Sequence, residues 1–203
     1  YGATTAETVR LTTSSCYLTN GTNDTQTVTR TSSDNDFSVA VKFNGINNLN
    51  NTYTFSYGLG LYKDGSLLSP ALIGTYSRPV GTGYTLGLTY SFGAGLADGT
   101  YLIKPISKES TSSTWLEDIG ADRYYIKAVI SGNSMTLTNV KPIVSLTVNS
   151  LEFTGSKVAG SSQELKMTIT NNGAEYNGNL FVYANGTVVA ENGVALEAGK
   201  TSV

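Results

Sequence analysis

The chain has 203 residues, of which 39% are hydrophobic and 14% charged, with a formal net charge of −2 and no histidine. No apolar run approaches the ~18 residues of a membrane span, and the lack of a basic block disfavours a nucleic-acid partner. Without histidine a Ser-His or Cys-His nucleophile pair is excluded, and the single cysteine, Cys16, cannot form an internal disulfide.

The first part of the chain has the pattern of short strands separated by turns. Residues 7–11 and 14–18 predict strands, because apolar and polar side chains alternate in them. Asn20-Gly21 is a strong signal for a two-residue turn, since both residue types tolerate positive φ. The Thr-rich residues 26–30 suit an edge strand with one face in water.

The clearest strand pattern begins at residue 37. Apolar residues alternate here with polar or small ones, so a strand would place the apolar ones on one face. They are Phe37, Val39, Val41 and Phe43. Asn44-Gly45 and an Asn-rich loop end this strand. Residues 53–62 predict the next strand, and a turn at residues 63–66 leads out of it.

A degraded copy of this stretch returns at residues 164–189. Apolar side chains again occupy every second position, at Leu165, Met167 and Ile169. Asn171-Asn172-Gly173 ends the strand, and Asn185-Gly186 predicts the next hairpin turn. Two β-domains in series follow from this repeat.

The remaining alternation predicts further strands at residues 84–92, 101–106, 124–130 and 135–140. Residues 69–82 have an irregular pattern with a short strand at 71–76. Turns about every ten residues, with no capped helical stripe, predict an antiparallel sandwich with almost no helix. Pro142 marks a boundary because proline cannot donate to a β-ladder. We therefore predict an all-β protein with two consecutive immunoglobulin-like antiparallel β-sandwiches, at residues 1–141 and 142–203.

The second sandwich is predicted to be incomplete. Far fewer residues follow Gly186 than follow Gly65 before the boundary, so counterparts of several strands of the first unit are missing. Half a sandwich exposes an apolar face and open strand edges. We expect either that the chain is truncated relative to a longer parent, or that the first unit or a neighbour supplies the missing face.

Several stretches of the chain carry a resemblance to a known family. In the second unit they are Leu146-Thr147-Val148, Leu165-Lys166-Met167-Thr168-Ile169, Asn171-Asn172-Gly173, Asn185-Gly186 and Leu196-Glu197-Ala198-Gly199-Lys200. They resemble the bacterial cell-adhesion-related immunoglobulin-like (CARDB-type) module. The first unit is similar to a longer variant, through Asn44-Gly45, Asp64-Gly65 and Leu96-Ala97-Asp98-Gly99-Thr100-Tyr101. The resemblance implies tandem accessory modules in large secreted bacterial proteins, including some with streptopain-like cysteine peptidase domains, and it implies no catalytic residues.

Few residues are candidates for chemistry. Cys16 has no visible activating base and is expected to be an ordinary strand residue. The oxygen-rich run Asp34-Asn35-Asp36 offers calcium ligands, but turn chemistry explains the same residues. A glycosidase-like pair of carboxylates could come only from acidic residues such as Glu117, Asp118 and Asp122. We expect these three side chains to be solvated charges in a loop. We expect no cofactor, no metal and no enzymatic activity.

Aromatic residues are the remaining functional hint. Tyrosine occurs 13 times, and most of the tyrosines are in phase with the alternation, which predicts packing within the sheets. Trp115, which follows a polar loop, and Tyr124 are the candidate binding residues for a sugar ring or a partner protein. The first hypothesis is a non-catalytic spacer, adhesion or domain-docking module of a larger secreted or cell-surface bacterial protein, whose partners are other domains of the same parent. The alternative is a carbohydrate-binding module.

Overall fold

The computed structural model describes residues 8–155, 158, 160 and 164–202 of the chain. Within these residues the regular secondary structure is β-sheet, with no α-helix, and every pair of neighbouring strands is antiparallel. The predicted all-β antiparallel fold is therefore confirmed. No helix in this part of the chain has the length and hydrophobicity that crossing a membrane requires.

The strands, in chain order, are β1 (Cys16–Leu18), β2 (Thr25–Thr29), β3 (Phe37–Ile46), β4 (Tyr53–Lys63), β5 (Ser66–Arg78), β6 (Gly83–Phe92), β7 (Gly99–Glu109), β8 (Leu116–Glu117), β9 (Tyr125–Ser131), β10 (Ser134–Val140), β11 (Leu146–Thr154), β12 (Glu164–Asn171), β13 (Tyr176–Ala184), β14 (Thr187–Leu196) and β15 (Thr201–Ser202).

The chain forms two compact units, Tyr1–Lys141 and Pro142–Val203. The first unit contains a three-stranded sheet with the order β1-β3-β6 and a seven-stranded sheet with the order β2-β10-β9-β7-β4-β5, in which β8 also pairs with β7. Apolar residues from both sheets form one buried cluster. The first unit is thus a two-layer β-sandwich, and its immunoglobulin-like character stays a prediction.

Strand β3 supplies the centre of this core. None of its four inward-facing apolar residues is more than 1% exposed. These residues are Phe37, Val39, Val41 and Phe43. Leu59 and Leu61 of β4, in the other sheet, belong to the same buried cluster. Burying one side chain of this size contributes about 1.5–3 kcal/mol, so the period-two pattern of β3 is a main source of the stability of the first unit.

Strand β5 differs from the sequence prediction of an irregular segment. It runs for 13 residues, from Ser66 to Arg78, although it contains Pro70. β5 pairs only with β4, where Pro70 lies opposite Gly60. An edge strand tolerates a residue that cannot donate to the ladder, which is why proline does not interrupt this one.

A second tight turn, at Asn23-Asp24, lies between the predicted turn and β2. Thr22 and Thr25 exchange backbone hydrogen bonds of 2.8 and 3.0 Å, and between them Asn23 and Asp24 have φ angles of 52° and 62°. A two-residue I′ turn needs positive φ at both positions, which Asn and Asp tolerate. The predicted turn at Asn20-Gly21 overlaps a separate turn at Thr19 and Asn20, just before this one, and the predicted edge strand that follows, β2, is confirmed.

The two hairpin turns of the repeat are confirmed. Asp64-Gly65 joins β4 to β5 with φ angles of 49° and 77°, and Asn185-Gly186 joins β13 to β14 with 50° and 82°. A short polar residue followed by glycine supplies the two positive φ angles that match the twist of the flanking strands. The same local chemistry therefore builds both hairpins.

Arg30 is a buried arginine that joins three loops of the first unit. It is 9% exposed, and its guanidinium donates to the carbonyl oxygens of Gly93 at 2.5 Å, Gly132 at 3.1 Å and Asn35 at 3.3 Å. The same group lies 4.5 Å from the ring centroid of Phe37. Because the planar guanidinium presents several donors at once, one side chain satisfies carbonyl groups from three separate turns.

The second unit has two layers with few strands each. One is the sheet β11-β12-β15, and the other is the hairpin β13-β14. Asn171 joins them at one end, because its side-chain amide donates to the carbonyl oxygens of Leu196 at 3.0 Å and Ala174 at 2.7 Å. Among the described residues of this unit only Ile169, Asn171 and Leu196 are buried, so the two layers make little core away from Asn171.

Replacing Arg30 by lysine tests the loop contacts. Lysine keeps the positive charge but loses the planar fork, so Arg30→Lys should lower the free energy of unfolding by about 2 kcal/mol or more. Urea unfolding followed by tryptophan fluorescence measures the change. The exposed Arg123 provides the matched control, since Arg123→Lys should alter stability by about 0.5 kcal/mol at most. Equal unfolding midpoints for the two variants would contradict this role of Arg30.

Candidate functional site

The two predicted binding residues have different surroundings. Trp115 is half-buried just before β8, and the ammonium nitrogen of Lys108 lies 5.3 Å from the centroid of its ring. Tyr124 is half-buried just before β9, where it packs against the main apolar cluster. One face of the indole is thus already covered by a cation, whereas Tyr124 lines a surface groove.

This Tyr124 groove, of about 370 Å³, lies where β1, the Asn23-Asp24 turn and the end of β10 meet. Its lining residues are Ser14, Ser15, Cys16, Tyr17, Leu18, Gly21, Asp24, Tyr124, Asn139 and Lys141. Trp115 is not among them, so the structure does not bring the two predicted binding residues into this one cavity. The groove combines two tyrosine rings with a carboxylate, an amide and an ammonium group.

The polar wall of the Tyr124 groove is held by hydrogen bonds. The Asp24 carboxylate accepts from Asn139 Nδ2 at 3.1 Å and pairs with Lys141 Nζ at 2.8 Å. Asn139 Oδ1 in turn accepts from the backbone N–H of Leu18 at 2.8 Å. Hydrogen bonds from Lys141 and Asn139 lower the pKa of Asp24 below its ordinary value. The carboxylate is therefore ionised at neutral pH, and its position relative to β1 is fixed.

A second aromatic cluster lies around Arg78. The rings of Tyr57 and Tyr84 stack with centroids 4.0 Å apart, and the Arg78 guanidinium lies within 5.6 Å of the ring centroids of Tyr57, Tyr76 and Tyr84. Arg78 also donates to the Tyr57 hydroxyl at 2.5 Å. Tyr57 is buried, and burial raises the pKa of Tyr84 above its ordinary value. The packing role predicted for the tyrosines is confirmed for Tyr57 and Tyr84, whereas Tyr76 is 52% exposed.

Cys16 lies in β1 and is buried rather than half-exposed. Burial is the main cause that raises the pKa of its thiol well above the ordinary value, and the nearby Asp118 adds to the effect. A thiol in this state carries very little thiolate at neutral pH, and the thiolate is the reactive form. Cys16 is therefore a packing residue, as the sequence suggested.

Asp118 corrects the expectation of solvated loop charges. Its side chain is completely buried, and burial raises its pKa to about 8. Ser107 Oγ donates to Asp118 Oδ1 at 2.5 Å, and the same hydroxyl accepts from the backbone N–H of Leu11 at 2.8 Å. Of the other two candidates, Glu117 pairs with Lys104 at 2.8 Å, and only Asp122 is exposed.

The Asp118 cluster explains the conformation of the first described residues. Leu11 accepts a backbone hydrogen bond from Ile119 at 2.9 Å, and Thr13 donates to Ile119 at 2.8 Å. These bonds hold the chain beside Ile119, and residues 8–11 are not a strand. The strand predicted at 7–11 is therefore wrong over its described part, and Glu7 lies outside the described residues. No local sequence pattern signals the hydrogen bond between Leu11 and Ser107, which are 96 positions apart.

The run at Asp34-Asn35-Asp36 is a turn that makes its own hydrogen bonds. Asp36 Oδ1 accepts from the backbone N–H of Ala94 at 3.1 Å, and Asn35 donates its side-chain amide to Thr31. In the described part of the chain no group of three or more histidine, cysteine or acidic side chains is arranged as a metal site. The geometry of this run is that of turn stabilisation.

No protein-family model matches the chain, and no curated protein is significantly similar to it. The fold thus defines the class, an all-β antiparallel protein with a sandwich in its first unit. Neither the Tyr124 groove nor the Asp118 cluster defines a reaction.

The raised pKa of Asp118 predicts an unusual dependence of stability on pH. The pKa of this carboxyl rises from 3.8 to about 8 on folding. Between pH 3.8 and about 8 it is therefore protonated to a greater extent in the folded state than in the unfolded state. Its contribution to the free energy of unfolding is therefore complete below pH 4 and is lost as the pH rises towards 8, by at most about 1.4 kcal/mol per pH unit.

The comparison of variants isolates this contribution. The difference in free energy of unfolding between the wild type and Asp118→Asn should decline steadily from pH 4.5 to 8.5 in urea titrations. Asp122→Asn, at an exposed position, should give a difference that does not change with pH. A pH-independent difference for Asp118→Asn would show that the Asp118 carboxyl has the same pKa in the folded and unfolded states.

Proposed function

We propose that the chain is a non-catalytic module that spaces or docks other domains of a larger secreted or cell-surface bacterial protein. The observation that carries this proposal is the apolar surface of the second unit. The side chains of Phe153, Val189 and Phe181 are 66%, 56% and 47% exposed. Large exposed apolar areas mark interaction surfaces, because covering them with another protein removes them from water.

The two units suit different parts of this role. The first is closed around one core and joined at its loops by Arg30, which favours a stiff body that keeps its shape under load. The second exposes apolar residues on several strands, among them Val148 in β11, Tyr183 in β13 and Val188 in β14. Val148 lies in one layer of this unit, and Tyr183 and Val188 lie in the other, so covering all three requires packing on both layers.

The secreted or surface location and the bacterial origin rest on composition and on the resemblance to CARDB-type modules. Few charges, many Thr, Ser, Asn and Gly residues, and β-hairpins in series are frequent in such proteins. An accessory position beside a secreted cysteine peptidase domain is one arrangement that this resemblance suggests. Burial is the main cause of the raised pKa values of both Cys16 and Asp118.

The Tyr124 groove favours a second candidate function, carbohydrate binding. A tyrosine ring beside a fixed carboxylate, amide and ammonium group offers an apolar face for a sugar ring and polar atoms for its hydroxyl groups. In this arrangement the sugar would contact Tyr124, Asp24 and Asn139. Trp115 would act only as a separate contact, since it does not line the groove.

Radical footprinting tests the docking proposal. Hydroxyl radicals should oxidise Phe153, Phe181 and Tyr183 readily in the isolated 203-residue chain and several-fold more slowly in the longer parent, where another domain would cover them. Tyr76, on the first unit and 52% exposed, is the internal control and should react equally in both. Equal oxidation of all four residues in the two forms would overturn domain docking by the second unit.

A glycan array separates the two functions. The spacer proposal predicts no signal that depends on Trp115 or Tyr124. If a glycan does bind, use of the groove predicts that Tyr124→Ala weakens binding at least tenfold, whereas Trp115→Ala leaves it within about twofold. A signal lost with Trp115→Ala alone would place recognition outside the Tyr124 groove.

A further inference from the structure

Within the described residues, the two sheets of the first unit end in four edge strands, which are β1, β6, β2 and β5. Three of these edges are protected. β1 and β2 are short, with three and five residues, while β5 contains Pro70 and shifts register at two points of its ladder with β4. Short strands, bulges and proline are the features by which natural proteins block unwanted strand pairing.

Strand β6 has none of these protective features. It runs for 10 residues, from Gly83 to Phe92, and contains neither proline nor a charged residue. Its ladder with β3 keeps one register over the whole length. In the part of the chain that the structure describes, no strand pairs with its other side. A long, regular and uncharged edge of this kind is where another strand can add to a sheet.

The backbone bonds of β3 show which groups of β6 are open. Ala40 accepts from the N–H of Thr19 at 3.0 Å, and the N–H of Asn44 donates to Ser15 at 3.2 Å, so the even-numbered residues of β3 face β1. Backbone groups alternate between the two edges of an antiparallel strand, so the odd-numbered residues of β3 bond to β6. Their partners on β6 are even-numbered. The open backbone groups are therefore those of the odd-numbered residues, which are Thr85, Gly87, Thr89 and Ser91.

The open side of β6 also has apolar surface. Leu86 and Leu88 pack against the core but are only half-buried. Leu88 also lines a groove of about 490 Å³ whose lining comes from both β5 and β6. The side chains of the four open residues lie on the other face of the strand and are small and exposed. None of them prevents a second strand from approaching.

The two ends of β6 lie near opposite charges. Asp36 is exposed beside the Phe92 end, where its carboxylate accepts from the backbone N–H of Ala94 at 3.1 Å. Arg78 lies at the other end, with its guanidinium 5.6 Å from the ring centroid of Tyr84. Antiparallel pairing of two copies of this strand brings the acidic end of one copy beside the basic end of the other.

We infer that β6 is a self-association site, at which a second copy of the chain adds its own β6 antiparallel to the first. A two-fold axis beside Leu88 relates the two strands, as in an isologous dimer. Each of the four open residues then pairs with an open residue of the partner. Leu88 lies opposite the partner's Leu88, and every inward-facing apolar residue from Tyr84 to Phe92 lies opposite another apolar residue. The two three-stranded sheets become one continuous sheet across the axis.

The charges favour a second copy as the occupant. β6 itself is uncharged, so self-pairing sets no like charges directly opposite each other. Lys42 is exposed on β3, opposite Gly87, but the two β3 strands of the dimer would be three strand spacings apart, about 14 Å. This separation exceeds the Debye length of about 8 Å at physiological salt. Because β6 belongs to the first unit, the inference goes beyond the docking function proposed for the second unit and does not depend on it.

Sedimentation velocity of the complete 203-residue chain tests the site. The chain should show a reversible monomer–dimer equilibrium that stops at the dimer, because the two-fold pairing uses the open edge of both copies. Thr89→Pro removes an open N–H group without removing a bond of the β3 ladder, and it should weaken the dimer at least tenfold. Thr89→Ala is the matched control, since it keeps the backbone N–H, and it should stay within about threefold of the wild type. Circular dichroism checks that both variants are folded.

Cross-linking tests the register independently. In the proposed pairing the Cα atoms of Leu88 and the partner's Leu88 are about 4.5 Å apart. Those of Gly87 and the partner's Gly87 are about 8 Å apart, which is too far for a disulfide. Leu88→Cys should therefore form an intermolecular disulfide under mild oxidation, whereas Gly87→Cys should not. Cys16 is buried and does not compete.

A chain that stays monomeric at every concentration would overturn the inference. A dimer that persists in folded Thr89→Pro would be held by another surface, and the inference would fail as well. A disulfide through Gly87→Cys but not through Leu88→Cys would exclude the two-fold axis at Leu88. If Thr89→Pro does not fold, the two cysteine variants decide the outcome.

Discussion

A sheet with an apolar face needs another layer to cover it, and this requirement governs both units. β3 and β12 carry the same alternation of apolar and polar residues. Phe43 in β3 is completely buried because a second sheet lies across it. Met167 in β12 is only half-buried, because the hairpin that faces it makes contact chiefly at the Asn171 end. The same sequence pattern therefore yields a closed core in one unit and a cleft in the other.

The high tyrosine content follows from how the sheets are built. Tyr84 of β6 pairs across the ladder with Gly45 of β3, and a Cβ atom at position 45 would lie 2.7 Å from the Tyr84 hydroxyl oxygen. The ring occupies the space that glycine leaves, and it stacks on Tyr57 from the other sheet. Glycine weakens a strand through its backbone freedom, and a large neighbouring ring restores buried area. Tyrosine thus acts here mainly as a packing residue.

Local patterns predicted the elements that depend on local chemistry. Alternation identified β3, β6, β9 and β10, and the Asp64-Gly65 and Asn185-Gly186 turns followed from their preference for positive φ. The errors occurred where distant partners decide the outcome. β5 continues through Pro70 because it is an edge strand, a position that only the sheet order reveals. The tight turn at Asn23-Asp24, which leads into β2, was not predicted, and β2 pairs with the distant β10.

In the candidate site, too, the sequence predicted what local chemistry decides and missed what distant partners decide. Sequence reasoning selected Tyr124 but could not find Asp24, Asn139 and Lys141 beside it, since these residues meet only when the Asn23-Asp24 turn lies against the end of β10. The buried state of Asp118 was missed for a similar reason. Its partner Ser107 lies on β7, and nothing in the acidic run around it distinguishes one carboxyl from the next.

Arg30 and Asp118 show how a chain with few charges places two ionisable groups inside a β-sandwich. Burying an ion is costly unless its charge is compensated. Arg30 is compensated by carbonyl dipoles from three turns and by the face of Phe37. Asp118 takes the other route, because a pKa of about 8 leaves it mainly protonated at neutral pH. Neither group needs a buried ion pair, and each joins segments that are far apart in the sequence. Buried polarity in the first unit therefore serves to fix its loops.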